Sequence, residues 1–277
     1  MILYNDSVSY YRINGGNGVY RLLIVTENQN VNDMISAMQG WEKLGFKPPR
    51  LRATTQEALE CMKKHAIDAI AVDHAPAFEA LLTCLDEQYP DMPMFQIASS
   101  QEEQMQIVQE LSRLLIRLKA DDSNDAYDAA SSMQLQRERW IKRLVSGMIP
   151  GEDALKRHLA LYRFHMQPDL PCVLARLEMS DEDGFMSVRW HYGSERLETA
   201  LRNFFGQAYS HMSMHLAVVS PEEVRVLCYP ASPEFAVSEN IAYDYMCETV
   251  EQIENYLGLH MNITSVQRIS GLRELCC

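Results

Sequence analysis

The chain has 277 residues, 25 basic against 38 acidic, and a formal net charge of −13. That length gives room for two domains with full hydrophobic cores, and no apolar run approaches the roughly 20 residues that cross a bilayer. A chain that repels phosphate overall also lacks the usual electrostatic basis of sequence-independent nucleic-acid binding. Residues 1–6 (MILYND) have neither the basic start nor the apolar stretch of a signal peptide, so a cytoplasmic location without membrane contact is expected. Seven cysteines are scattered without C-x-x-C spacing and read as reduced, mostly buried side chains rather than zinc ligands.

Residues 1–18 include Asn14-Gly15-Gly16-Asn17-Gly18 and read as a loose lead-in. Residues 20–25 (YRLLIV) form a continuous apolar run, the pattern of a strand buried on both faces. A helix follows with Val31, Met34, Ile35, Met38 and Trp41 on one side, ending at Gly45. Next come a short strand at 50–53 and a helix headed by Thr55, with Ala58, Leu59, Met62 and His65 inward. Strands at 69–72 (AIAV) and 94–98 (MFQIA) flank a helix at 78–88. This alternation predicts an α/β domain with a parallel sheet.

The helix predicted at 101–119 carries Val108, Leu111, Leu115 and Leu118 at heptad spacing, beside Ile107 and Leu114. Such a stripe serves either as a core-facing surface or as a homodimer seam, to which Trp140 and Leu144 of a helix at 133–145 would add. Residues 120–132 (ADDSNDAYDAASS) read as a hinge, and Ser146-Gly147 as a helix stop. The second half reads as helix 152–162, strand 172–179, helix 195–209, a hairpin of 214–219 with 224–229, helix 235–257 and strand 262–267. That order predicts an α+β domain. His211 and His215 make a poor metal pair in this β-rich stretch, Cys84 has no partners for nucleophilic catalysis, and Gly15-Gly16-Asn17-Gly18 precedes a strand instead of following one.

Residues 20–25, 68–73 (DAIAVD) and 89–94 (YPDMPM) resemble the receiver domain of two-component response regulators. The resemblance places Asp73 as phosphoacceptor and aligns the family's metal-binding acidic pair with Thr26-Glu27, leaving Glu27 as metal candidate. It aligns the switch hydroxyl with Ala98, next to Ser99 and Ser100. Because helix 101–119 follows directly, the usual fourth helix, fifth strand and lysine have no room. The resemblance therefore implies a degenerate receiver over 19–120, needing Mg²⁺ only if Asp73 is phosphorylated.

Residues 135–147 (LQRERWIKRLVSG), 172–178 (CVLARLE), 261–266 (MNITSV) and 270–275 (SGLREL) resemble the divergent GGDEF-like domain of AraC-type response regulators. Where true cyclases carry Gly-Gly-Asp/Glu-Glu-Phe, this chain has Ser220-Pro221-Glu222-Glu223, which implies no cyclase activity. The family's helix-turn-helix units would begin where the sequence stops at Cys277, so DNA reading lacks its helix. The combined expectation is a lead-in (1–18), the receiver-like domain, a hinge and linker helix (121–148) and a GGDEF-like, cyclase-like domain (149–277). On this reading the protein is a non-catalytic transcription-regulatory transducer that dimerises and contacts a sensor kinase or another regulator. The alternatives are a DNA-binding regulator whose helix-turn-helix is lost or separately encoded, and a receiver phosphorylated at Asp73.

Overall fold

Among the described residues two separate sheets form, one parallel with three strands and one antiparallel with five. The computed structural model describes residues 20–122, 129–181 and 184–277, so the expected lead-in and the middle of the expected hinge lie outside the described residues. The chain divides into two compact units: the first runs to Met133 and adds Arg157–Phe164, and the second holds Gln134–Lys156 and His165–Cys277.

In the first unit, β1 (Leu22–Val25) and β3 (Ala69–Val72) bury all four of their residues, as continuous apolar runs require. They pair in parallel with β2 (Arg50–Arg52) in the order β2-β1-β3. The strand expected at 94–98 is not formed; it reduces to one bridge, Met94 beside Ile70. Pairing with β3 stops at Phe95 N, which donates to Ile70 O at 3.0 Å, and on the opposite edge a side chain takes the backbone. Gln104, fully buried, accepts from Ala98 N at 2.8 Å and donates to Gln96 O at 3.3 Å. Its amide occupies the groups that a fifth strand would use.

Helix α1 (Gln29–Ala37) stops short of the expected 45: Met38 turns to an extended ψ of 134°, and Gly40 at φ +89° leads into the next turn. The chain resumes as a 3₁₀ turn, Trp41–Leu44, which still buries Trp41. Helix α2 (Thr55–Lys64) is capped by Thr54, not Thr55: Thr54 Oγ1 accepts from Glu57 N at 3.2 Å, and Glu57 Oε2 accepts from Ala53 N at 3.1 Å. Its buried residues are Ala58 and Cys61, while Leu59, Met62 and His65 are only half-buried. Helix α3 (Glu79–Gln88) buries Leu81 and Leu85 against this core, and α4 (Gln101–Asp122) follows.

Helices α5 (Ala129–Val145) and α6 (Gly151–Leu161) precede the second sheet. Gly147, at φ +69°, ends α5 in a Schellman motif, with Met148 N donating to Arg143 O at 2.9 Å and Gly147 N to Leu144 O at 3.0 Å. The sheet strands are β4 (Cys172–Met179), β5 (Ala208–Tyr209), β6 (Met212–Ser220), β7 (Glu223–Pro230) and β8 (Met261–Ile269), ordered β5-β6-β7-β4-β8. Helices α7 (Ser194–Phe205) and α8 (Glu239–Leu257) complete a split β-α-β arrangement.

One sheet face contributes Val173, Ala175 and Leu177 of β4 and Val224, Val226 and Cys228 of β7 to a core with Leu197, Leu201 and Phe205 of α7 and Met246 and Ile253 of α8. Two expected helix bounds are corrected. Helix 195–209 ends at Phe205, because Gly206 adopts φ +63° and residues 208–209 form the edge strand. Helix 235–257 starts only at Glu239, behind Ser238. A π-helical turn, Phe185–Arg189, lies where no element is predicted.

From its own surface α5 is tied to this unit by charge. Arg202 of α7 donates to Glu138 of α5 at 2.5 Å and to Glu198, and Arg225 of β7 donates to Val145 O. Burial raises the pKa of Glu198, although Arg202 and Lys142 pull it down; its carboxylate also accepts from Val218 N of β6. Gly271 packs flat on the chain at Pro168-Asp169: an added methyl would run into Pro168 O, with Asp169 Cα at 3.0 Å. Gly271→Ala is expected to lower unfolding free energy by about 2 kcal/mol, read from the urea midpoint.

Candidate functional site

The acceptor candidate sits where parallel-sheet proteins place ligands, past the carboxyl ends of the strands. Asp73 N donates to Val25 O at 2.9 Å, so the β1–β3 ladder runs one residue beyond β3 and delivers the Asp73 carboxylate at the sheet's end. Thr26, fully buried, extends the other ladder by donating its N–H to Arg52 O at 3.0 Å. The Thr26 hydroxyl donates to Asp73 Oδ2 at 2.9 Å and accepts from Asn28 N at 3.1 Å, which uses both of its roles.

Glu27, the metal candidate, is exposed, and it is the Thr26 hydroxyl that donates to the Asp73 carboxylate. Ser99 and Ser100 are engaged at the start of α4: Ser100 Oγ accepts from Glu103 N at 3.3 Å, and Ser99 Oγ donates to Glu103 Oε2 at 3.5 Å. Among the described residues, no group of three acidic, histidine or cysteine side chains is arranged to hold a metal ion. A hard cation takes six or more oxygen ligands, with several waters retained in the case of Mg²⁺ but a carboxylate or two supplied by the protein.

The hairpin of the second unit is built for rigidity. Pro221-Glu222 joins β6 to β7, Ser220 Oγ accepts from Glu222 N at 3.2 Å, and Glu222 O accepts from Met179 N at 2.7 Å. Glu223 lies opposite Glu178 in the β4–β7 register and accepts from Arg225 Nε at 2.6 Å. Glu222 is exposed. Two clefts of about 290 Å³ each lie elsewhere: one beside Ser238 and Arg268, the other beside Asn32, Arg52 and Glu57.

The apolar candidates for a dimer seam are interior residues of this chain. Val108, Leu111 and Leu144 have no accessible surface, Trp140 and Leu115 retain only 1% and 6%, and Leu118 is half-buried. The heptad stripe is therefore core-facing, and Ile116 is the large apolar side chain that α4 exposes. The dimer expectation loses these five contact residues for the simple reason that they are already covered.

The remaining reactive side chains have quiet surroundings. Burial pushes the Cys172 and Cys228 thiols up to about 12, away from the thiolate a nucleophile needs. Desolvation holds His215 down to about 4, which keeps it neutral. His211 is in a left-handed conformation at φ +65° and stacks on Phe235 with ring centres 4.2 Å apart. Two residues that sequence reasoning passed over prove central to the first unit: Gln104, and Arg163 at the end of α6. No signal in hydrophobic periodicity marks either, because both act through polar contacts with residues distant in sequence or through backbone conformation. No protein-family model matches the chain, and no curated protein matches it.

Proposed function

We propose that the chain is a two-module signal-transducing regulator of the response-regulator kind, acting through protein contacts rather than chemistry. Its first unit has the strand order β2-β1-β3 with Met94 in the fourth place, a receiver-like doubly wound order cut short. Its second unit has the split β-α-β order that a GGDEF-like domain would need. Asp73 stands at the carboxyl end of the first sheet, as a receiver's acceptor would.

The observation that carries the non-catalytic part is the Thr26 hydroxyl bound to Asp73. Phosphoryl transfer is mostly positioning and charge neutralisation, so an acceptor with a neutral neighbour in place of a second acid lacks most of its catalytic support. On this reading the partners are a second copy of the chain and a kinase or another regulator, in the cytoplasm. The hairpin supports the same conclusion, since Pro221 and the Glu223–Arg225 pair replace a flexible glycine loop. Incubation of the full chain with GTP and Mg²⁺, followed by product analysis, is expected to return GTP unchanged. A cyclised or condensed nucleotide product that scales with protein concentration would refute the reading.

A further inference from the structure

The cleft lined by Asn32, Leu51, Arg52, Ala53 and Glu57 opens past the carboxyl ends of β1 and β2, where α1 and α2 begin. All five residues belong to the first unit. The fold fixes each wall. Arg52 is the last residue of β2, opposite Val25 of β1, and its carbonyl accepts from Thr26 N at 3.0 Å. Its guanidinium donates from Nη1 to Leu51 O at 2.5 Å, and no carboxylate among the described residues pairs with it. Glu57, in the first turn of α2, accepts from Ala53 N through Oε2 at 3.1 Å, which holds the carboxylate beside the strand end.

Asn32 is the member that the fold does not explain. Its backbone N–H donates to Asn28 O at 3.1 Å as α1 requires, yet its side-chain oxygen is buried and accepts no hydrogen bond from any described residue. Folded proteins leave few such groups, because a buried acceptor without a donor is costly. The cleft therefore places an unpaired guanidinium and a carboxylate around an amide with unused capacity. A bare anion would suit Arg52 but meet Glu57 as a like charge, and a bare cation would suit Glu57 but meet Arg52 in the same way. A small molecule carrying both charges satisfies both. The Asn32 amide turns easily about χ2, so it can accept from the ligand's cationic end or donate to its anionic end. Leu51 and Ala53 supply the apolar wall for a short side chain.

We propose that this cleft binds a small free amino acid or a zwitterion of the same kind. The ligand carboxylate lies on Arg52 and its ammonium on Glu57, with Asn32 completing the hydrogen bonds. The cleft of about 290 Å³ has room for a ligand of that size. It is separate from Asp73, which follows β3 on the far side of β1. The site goes beyond the transmitter reading and does not depend on it.

The test is a titration followed by amide NMR of the nitrogen-labelled full chain. Glycine, L-alanine and L-serine are the probes, with acetate and methylammonium as the separate halves. At least one amino acid is expected to give saturable shifts at 32 and 51–57, with a Kd on the order of 1 mM. Acetate and methylammonium should each bind about tenfold more weakly or worse. Arg52→Gln and Glu57→Gln should each weaken binding about tenfold, and Asn32→Leu about threefold. Glu57→Gln still accepts from Ala53 N, so it removes the charge and keeps the cap. No saturable shift with any amino acid up to about 50 mM overturns the site. Acetate bound as tightly as the amino acids overturns the zwitterion. Equal affinity in the wild type and Glu57→Gln puts the ligand elsewhere and overturns the assignment. The spectrum shows whether each variant is folded, and Glu57→Gln decides the question if Arg52→Gln is not. A product formed from GTP would refute the transmitter reading and leave the binding result standing.

Discussion

Gln104→Leu is expected to lower the unfolding free energy of the chain by about 3 kcal/mol, read from the urea midpoint. The Gln104 amide accepts from Ala98 N and donates to Gln96 O in a fully buried position. Leucine fills similar space and leaves the buried Ala98 N–H without a partner, at about 1–3 kcal/mol for a buried group left unsatisfied, with a smaller loss at the half-buried Gln96 O. Gln104→Glu should destabilise as well, because a carboxylate in this fully buried position must either lose its hydration or take up a proton. A change under about 1 kcal/mol for Gln104→Leu would mean that water reaches these groups and that the amide does not stand in for a missing strand.

Acid should destabilise the second unit through His215. Its imidazole lies on β6 beside Ser213 Oγ at 3.3 Å and is held down to about 4 by desolvation, against an ordinary value near 6.5. Above about pH 6.5 neither the folded nor the unfolded state is protonated there, and the group has no effect on stability. As pH falls below 6.5 the unfolded chain takes up the proton first, and stability declines until the folded state also protonates near pH 4. At about 1.4 kcal/mol per pH unit the decline reaches at most about 3 kcal/mol. Asp68 and Glu198 work in the opposite sense, because burial raises their carboxyl pKa and the folded state gains those protons earlier. The comparison that isolates His215 is therefore the wild type against His215→Gln, with urea unfolding measured from pH 7 to pH 4. The variant should show a flatter profile over that window. Parallel profiles would show that the imidazole protonates as readily when folded as when unfolded.

The sequence and the structure agree where packing alone decides. The runs at 22–25 and 69–72 become buried parallel strands, and the hairpin at 220–223 closes with its proline in the turn. They differ where a polar side chain competes for backbone. Residues 94–98 are apolar enough for a strand, but Gln104 takes the hydrogen bonds that a neighbouring strand would make. The heptad pattern of α4 was compatible with two surfaces, and burial chooses the interior one. At the acceptor site, the position of Asp73 at a strand end was legible from the pattern 68–73. Its contact with Thr26, 47 residues away, depends on parallel pairing through β1 and leaves no periodic trace. The fastening of Arg163 to Asp86 is equally hidden, since nothing in an arginine after a helix announces a left-handed residue.

The central claim is that the carboxylate at the end of the first sheet receives nothing and that the protein works by contact. Intact-mass spectrometry of the full chain after incubation with acetyl phosphate and Mg²⁺ tests it most directly. The account predicts an unshifted mass for the wild type, indistinguishable from Asp73→Asn treated in parallel. A stoichiometric phosphoryl adduct on the wild type that disappears in Asp73→Asn would contradict it.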